Sequence, residues 1–232
     1  MCAASRPRVL IADDHVLVAE AFKQFLASEF EVVATVHDGR SLLQAAQQFL
    51  PDVILVDLGM PLLNGLDAAE RIKRAVPDVK IVFVTVDANA ELVGEAFRRG
   101  ASGYLLKDSA GSELVAAIRC ALRGERFVSS SVANPRYIPS GPPKMPASRG
   151  QLTERQRDVL QLLAEGRSMK EVASVLDLTT RTVAFHKYRI MEHLGLRNNA
   201  EVMQYALREH LVFAWTRRAA AIGSGARGPA LS

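Results

Sequence analysis

The stretch VLIADD at residues 9–14 decides the fold of the first half of the chain. Four consecutive apolar residues suit a strand that is buried on both faces, and two aspartates stand where that strand ends. Similar apolar runs follow at 32–36, 53–56, 81–85 and 103–106. Between them lie segments with apolar residues at helical spacing, namely 15–29, 40–49, 66–75, 90–98 and 112–123. The alternation predicts a doubly wound α/β fold, in which helices cover both faces of a five-stranded parallel sheet.

Polar side chains stand at the carboxyl ends of four of these strands, where parallel sheets bind their ligands. Asp13 and Asp14 follow the first strand, Asp57 follows the third, Thr85 ends the fourth and Lys107 follows the fifth. Each aspartate alone would fit an ordinary helix cap or turn. Together the carboxylates suit Mg²⁺, and a metal, a nucleophilic carboxylate, a hydroxyl and an ammonium are the groups that bind a transferring phosphoryl group. The set predicts an acyl phosphate on Asp57.

This half of the chain resembles the receiver domain of bacterial two-component response regulators, over about residues 7–125. The segments that carry the resemblance are VLIADD at 9–14, DLGMP at 57–61 with Gly65, Thr85, and GYLLKD at 103–108. Their order and spacing make the match specific, whereas one segment alone would be weak evidence. The resemblance implies a flavodoxin-like sheet with the strand order 2-1-3-4-5. It also implies that Asp57 accepts a phosphoryl group from a sensor histidine kinase.

The resemblance assigns further roles at the same edge of the sheet. The groups that would hold Mg²⁺ are the side chains of Asp13, Asp14 and Asp57 and the backbone carbonyl of Gly59. Lys107 would pair with the phosphoryl oxygens, and Thr85 and Tyr104 would form a switch pair. A phosphoryl group on Asp57 would attract the Thr85 hydroxyl and vacate space for the Tyr104 ring. We expect this repacking to change dimerisation through the fourth helix, fifth strand and fifth helix.

The second half of the chain differs from the first in charge and composition. The net charge is +4, but residues 1–128 hold 14 basic and 17 acidic residues (−3), and residues 129–232 hold 15 and 8 (+7). A basic segment suggests a polyanionic partner, although basic tails are also common. Serine and proline between 129 and 150 predict a linker. We therefore expect a receiver domain at 7–128, a linker at 129–150, a helical domain at 151–213 and a disordered basic tail at 214–232.

The helical domain carries start signals for three successive helices. Thr153 with Gln156 and Ser168 with Glu171 form capping boxes, and Thr179 can cap a third helix. Two short helices joined by a tight turn indicate a helix-turn-helix. The segment resembles the LuxR-type domain that ends response regulators of the NarL/FixJ type, which implies a small all-α domain of four helices, the last at about 198–209. The residues that follow the LuxR-type pattern include Leu152, Val159, Leu163, Gly166, Leu176, Val183, His186, Ile190, Leu194, Gly195 and Ala200.

The third helix is expected to bind DNA. The residues that would face bases are Ala184, Phe185 and Tyr188. The candidates for phosphate contacts are Thr182, Lys187 and Arg189, and Arg181 is a further residue expected to bind DNA. Ala184 and Tyr188 stand where lysine is frequent in the family. Alanine and phenylalanine can contact thymine methyl groups but cannot make the paired hydrogen bonds that identify guanine. We therefore expect sequence recognition to depend on DNA shape and apolar contact.

The two halves together predict a phosphorylation-controlled transcription regulator that binds promoter DNA as a homodimer. It would not be an enzyme beyond its own phosphotransfer and slow autodephosphorylation, whose rate Asp87 could adjust. One alternative is a phosphohydrolase with an aspartyl phosphate, but Gly59 stands where haloacid-dehalogenase-type phosphatases carry a second aspartate. The other is a phosphate-independent regulator whose C-terminal domain binds protein.

The remaining composition excludes several classes of protein. Cys2 and Cys120 are too few and too distant for a disulfide framework or a zinc site, and we expect both to be reduced thiols. The sequence contains no apolar run near the ~18 residues of a membrane span and no signal-peptide core. A cytoplasmic location is therefore expected.

Overall fold

The computed structural model describes residues 6–132 and 152–213, which lie in two separate compact units. The first unit is an α/β domain and the second is helical. Most of the predicted linker (residues 133–150), the predicted tail at 214–232 and Cys2 lie outside the described residues.

The first unit is built on a parallel sheet whose strands are β1 (Arg8–Ala12), β2 (Glu31–Val36), β3 (Val53–Val56), β4 (Lys80–Thr85), β5 (Gly103–Leu106) and β6 (Phe127–Val128). Their order across the sheet is β2-β1-β3-β4-β5-β6. The five predicted strands and the flavodoxin-like order 2-1-3-4-5 are therefore confirmed. All the neighbouring strands pair in parallel, so their carboxyl ends lie along one edge.

Five helices cover the sheet, namely α1 (Val16–Leu26), α2 (Gly39–Phe49), α3 (Gly65–Ala75), α4 (Ala90–Arg98) and α5 (Ala110–Leu122). The face that α1 and α5 cover buries Val9, Leu55 and Val84. The side chains that alternate with these along the strands, such as Leu10 and Ile54, are also fully buried. Each such burial stabilises the fold by about 1.5–3 kcal/mol. The continuous apolar runs in the sequence reflect this double coverage.

The sixth strand is a feature that the sequence analysis missed. β6 pairs with β5, with Gly103 opposite Phe127 and Tyr104 opposite Val128. Two residues are too few to show a strand pattern, and this strand forms because β5 offers an unpaired edge. Ser129, the first residue of the predicted linker, is buried and donates its N–H to the Tyr104 carbonyl oxygen (2.9 Å). The pairing with β5 thus extends one residue beyond β6.

Within residues 152–213 the second unit has four helices, namely α6 (Glu154–Ala164), α7 (Met169–Leu176), α8 (Thr180–Leu194) and α9 (Asn199–Arg208). Both predicted capping boxes are present, and Thr179 accepts a hydrogen bond from the Thr182 N–H (3.1 Å) at the start of α8. Gly195 ends α8 with a φ of +66°, a conformation that glycine adopts without strain. The small core includes Val159, Leu162, Val172, Leu176, Val183, Ile190, Val202 and Ala206. The predicted all-α domain of four helices is confirmed.

None of the helices within residues 6–132 and 152–213 combines the length and the apolar composition that crossing a membrane requires.

Candidate functional site

Strand pairing brings two aspartates together at the carboxyl edge of the sheet. Asp13 follows β1 and Asp57 follows β3, and these strands are neighbours with Ala12 opposite Val56. The Asp57 N–H donates to the Ala12 carbonyl oxygen (2.9 Å), which fixes the register at the strand ends. Both side chains are buried, Asp57 with only 2% of its surface exposed. Residues far apart in the sequence therefore place two carboxylates side by side in a site with little access to water.

Lys107 supplies the positive charge of this site. It follows β5, and its N–H continues the ladder by donating to the Thr85 carbonyl oxygen (2.8 Å). Its Nζ lies 3.0 Å from Asp57 Oδ2, to which it donates a hydrogen bond, and 2.8 Å from Asp13 Oδ2. Burial works to lower the pKa of the Lys107 ammonium, but the charges of Asp57 and Asp13 outweigh it and the pKa is raised. The side chain is therefore held as a cation between the two carboxylates.

The pKa of the Asp57 carboxyl group is shifted by its surroundings. Burial raises the pKa of Asp57 to about 6, with Lys107 acting in the opposite direction and Asp13 adding to the rise. Asp57 Oδ1 is buried and has no hydrogen-bond partner. Asp13 Oδ2 and Asp14 Oδ1 also lack hydrogen bonds, although each lies near a basic nitrogen. Buried carboxylate oxygens of this kind need a cation or donor, so the residues present fit a divalent metal ion.

His15 also belongs to this cluster, and the sequence analysis did not single it out. Single ligand atoms of Asp13, Asp14, His15 and Asp57 all lie within 4.8 Å of one another. The signal was available, because the histidine directly follows the two aspartates. His15 is also the N-cap residue directly before α1, and the sequence pattern alone assigns it to the start of a helix.

Two glycines lie beside Asp57. Gly59, whose carbonyl is predicted to bind the metal, is buried two residues after Asp57, and its role stays a prediction. Gly65 opens α3, and a Cβ atom at that position would lie 2.2 Å from the Asp57 carbonyl oxygen. Its N–H donates to the Leu58 carbonyl oxygen (2.9 Å). The absence of a side chain at Gly65 therefore allows α3 to approach the backbone that carries Asp57.

The predicted switch pair is joined through the backbone of Asp87. Thr85 is buried, and its Oγ1 accepts a hydrogen bond from the Asp87 N–H (3.2 Å). The Tyr104 ring is fully buried, and its hydroxyl donates to the Asp87 carbonyl oxygen (2.7 Å). Burial raises the pKa of the Tyr104 hydroxyl, so it remains a donor. The structure has the ring in the inner position, and its movement on phosphorylation stays a prediction.

The third helix of the second unit, α8, presents an aromatic surface opposite its core face. Val183 and Ile190 are buried, whereas Phe185 is 56% exposed and Tyr188 is 65% exposed. The Arg189 guanidinium carbon lies 5.6 Å from the centre of the Phe185 ring, within the range of a cation–π contact. Exposed aromatic rings beside basic groups are typical of a surface that binds a partner.

The other predicted DNA-facing residues lie along the same helix. Arg181 is exposed, whereas Thr182, Ala184 and Lys187 are half-buried. The Thr182 hydroxyl lies 2.9 Å from the Thr179 hydroxyl, so it takes part in capping α8. The structure thus places the set on one helix, and the contact of each residue with DNA stays a prediction.

Comparison with known families divides the chain in the same way as its fold. Residues 9–119 match the model of the response regulator receiver domain, and residues 150–206 match that of the bacterial regulatory proteins of the luxR family. The oxygen regulatory protein NreC of Staphylococcus aureus is 35% identical over 214 residues, with 88% of this chain and 99% of NreC covered. The transcriptional regulatory protein MctR of Rhizobium johnstonii is 33% identical over 207 residues, with 88% and 95% covered.

Solved structures give the same picture. The response regulator RcsB of Salmonella typhimurium is 25% identical with a TM-score of 0.56, and the match covers 87% of this chain and 97% of RcsB. RcsB in complex with DNA is 26% identical with a TM-score of 0.53, covering 87% and 98%. A LuxR-family response regulator from Aurantimonas is 30% identical with a TM-score of 0.53, covering 55% and 93%.

Proposed function

Since the chain belongs to the response regulators that join a receiver domain to a LuxR-type DNA-binding domain, we propose that Asp57 accepts a phosphoryl group from a sensor histidine kinase and that this modification controls promoter binding. The family is one of transcription regulators rather than enzymes, as expected from the sequence. The observation that supports Asp57 as the phosphoacceptor is its buried carboxylate, in which one oxygen accepts a hydrogen bond from Lys107 and the other has none.

The proposed transfer needs little covalent chemistry from the protein. A carboxylate oxygen of Asp57 bonds to phosphorus, the bond from phosphorus to the kinase imidazole nitrogen breaks, and the electron pair leaves with the imidazole. Lys107 is already held as a cation 3.0 Å from Asp57 Oδ2, so it can offset the charge of the arriving phosphoryl oxygens. Exclusion of water around the buried Asp57 strengthens that attraction.

We propose that Asp13, Asp14, Asp57 and the Gly59 carbonyl hold Mg²⁺. When bound, the ion supplies further neutralisation of charge on the phosphoryl oxygens. The buried oxygens without hydrogen bonds support this choice of ligands. Asp13 and Asp57 also both contact the ammonium of Lys107.

A phosphodonor experiment tests the acceptor. The chain is incubated with a radiolabelled small-molecule phosphodonor and Mg²⁺, and Asp57→Asn is compared with Asp78→Asn, which removes an exposed carboxylate just before β4. We expect label on the native chain and on the Asp78 variant, none on the Asp57 variant, and none when Mg²⁺ is chelated. Undiminished label on Asp57→Asn would place the acceptor elsewhere.

We propose that α8 contacts DNA through the residues predicted from the sequence. Phe185 and Tyr188 are the exposed rings that could reach base edges, and Lys187 and Arg189 supply positive charge. Phosphate contacts bring a steep loss of affinity with salt, because neutralised phosphates release counterions. Dimerisation on phosphorylation belongs to the same proposal, as does action in the bacterial cytoplasm, where promoter DNA lies.

Two variants separate phosphate contact from base recognition. Lys187→Ala should weaken binding to all DNA sequences alike and reduce the salt dependence, whereas Tyr188→Ala should change which sequences are preferred. Arg208→Ala removes an equal charge from α9 and is the control for net charge, since its side chain is 72% exposed. DNA affinity that does not change with salt would favour a protein partner for this domain instead.

The domain bounds also remain part of the proposal. They are a receiver domain at 7–128, a linker at 129–150, a DNA-binding domain at 151–213 and a tail at 214–232. The buried Ser129 supports moving the end of the receiver domain by one residue, because its hydrogen bond to Tyr104 continues the pairing of β5 and β6.

A further inference from the structure

His15 lies against the carboxylate cluster in an arrangement that a helix start does not require. Its Nδ1 is 2.7 Å from Asp14 Oδ1 and 3.4 Å from Asp13 Oδ1. The residue occupies the N-cap position of α1, but its side chain makes no capping hydrogen bond. The ring is therefore directed to the cluster rather than to the helix backbone.

The contact between His15 and Asp14 is short but is not a hydrogen bond. Asp14 Oδ1 is buried and has no hydrogen-bond partner, although His15 Nδ1 is 2.7 Å away. The two atoms therefore lie within ion-pair distance without forming a hydrogen bond. Two ligands of one metal ion, each about 2.1 Å from it and at right angles, are about 3 Å apart. The separation is close to that of two ligands of a common ion.

A second observation points to a cation at the same place. Asp57 is 2% exposed, and its Oδ1 has no hydrogen-bond partner. The ligand atoms of Asp57 and His15 lie within 4.8 Å of each other and of those of Asp13 and Asp14. An ion within this group would thus contact a nitrogen as well as carboxylate oxygens.

We propose that His15 Nδ1 is a further protein ligand of the cation site, and that it makes this site select first-row transition-metal dications more strongly than carboxylates alone would. This inference rests on the proposed cation site of the receiver domain. Imidazole nitrogen suits ions such as Ni²⁺ and Zn²⁺, whereas Mg²⁺ prefers oxygen ligands and retains its waters. His15 is 49% exposed, so the ring can leave the site for Mg²⁺ and join it for Ni²⁺.

The test compares two ions on the same variants. Tag-free full-length protein is titrated with Ni²⁺ and with Mg²⁺ by calorimetry at pH 8, as the native chain, His15→Ala and His193→Ala. The last variant removes an exposed histidine from α8 and controls for adventitious binding of Ni²⁺. We expect His15→Ala to bind Ni²⁺ at least ~10-fold more weakly, because even the loss of a residue that only supports a metal ligand weakens binding by that factor. The loss of Mg²⁺ affinity should be far smaller. His193→Ala should match the native chain.

The outcomes separate this inference from the proposed function. Equal losses of Ni²⁺ and Mg²⁺ affinity in His15→Ala, or no loss for Ni²⁺, would overturn the role of His15 and leave the Mg²⁺ site in place. The cation site itself would be overturned if the native chain bound neither ion, or if Asp57→Asn did not remove the binding. Thermal unfolding of the metal-free variants checks that they remain folded. The visible spectrum of the Co²⁺-loaded protein should differ between the native chain and His15→Ala, because the ligand set changes.

Discussion

The hydroxyl of Tyr104 offers a direct test of how the segment between β4 and α4 is held. Tyr104→Phe keeps the buried ring and removes the bond of 2.7 Å to the Asp87 carbonyl oxygen. Because that acceptor then loses its donor inside the protein, we expect a cost of about 1–2 kcal/mol. The loss of stability should be confined to this segment, because Asp87 also takes part in the other hydrogen bonds that fix it. The Asp87 N–H donates to Thr85 Oγ1, and Asp87 Oδ1 accepts from the Asn89 N–H.

Amide hydrogen exchange measures this effect. A loss of 1–2 kcal/mol corresponds to exchange about 5- to 30-fold faster. We expect that increase for the amides of Asp87 and Asn89, and unchanged exchange within α2, which packs against β1, β2 and α3. Tyr188→Phe removes an exposed hydroxyl and should change neither. Equal protection of the two amides in Tyr104→Phe and the native chain would refute the view that the hydroxyl holds this segment.

Three further predictions follow from the contacts of Arg99, Gly65 and Ser129. Arg99→Ala leaves the buried Asp67 carboxylate without its ion pair of 2.5 Å, and should lower the free energy of unfolding in urea by about 3–5 kcal/mol, with Arg99→Lys losing less. Gly65→Ala places a methyl group 2.2 Å from a backbone carbonyl oxygen, and should cost about 1–3 kcal/mol in the same assay while slowing phosphorylation. The hydrogen bond from Ser129 lowers the pKa of Glu113, so its contribution is present above the ordinary value of 4.5 and is lost as the pH falls below it. The protection factor of the Ser129 amide, which compares its exchange rate with that of an unfolded chain at the same pH, should therefore fall on acidification in the native chain, and a constant protection factor would contradict this.

The sequence was sufficient for the parts of the fold that depend on long, buried patterns. The strands β1, β3, β4 and β5 are runs of buried, mainly apolar residues because helices cover both faces of the sheet, and a pattern of that kind survives in the sequence. The capping boxes of α6 and α7 are equally local, since a threonine or serine and a partner three residues later form both hydrogen bonds. These features could be predicted because neighbours in the sequence decide them.

The features that the sequence did not give depend on residues that are distant in the chain. β6 forms because β5 has a free edge, and the two residues Phe127 and Val128 carry no pattern of their own. The proposed ligand role of His15 depends on the closeness of its ring to Asp14 and on the burial of Asp57, neither of which composition reveals. The inner position of Tyr104 depends on a carbonyl that β4 and the following segment place within reach.

β6 brings the predicted switch residue, Tyr104, next to the point where the chain leaves the sheet. The carbonyl of Tyr104 accepts the Ser129 N–H, while the hydroxyl of the same tyrosine holds the Asp87 carbonyl. Glu113, one turn into α5, accepts hydrogen bonds from the hydroxyls of Ser129 and Ser130. A displacement of Tyr104 large enough to move its backbone must therefore stretch or break the bond that fixes Ser129. The start of the predicted linker is thus bonded directly to the residue that is expected to respond to phosphorylation, with no intervening side chain.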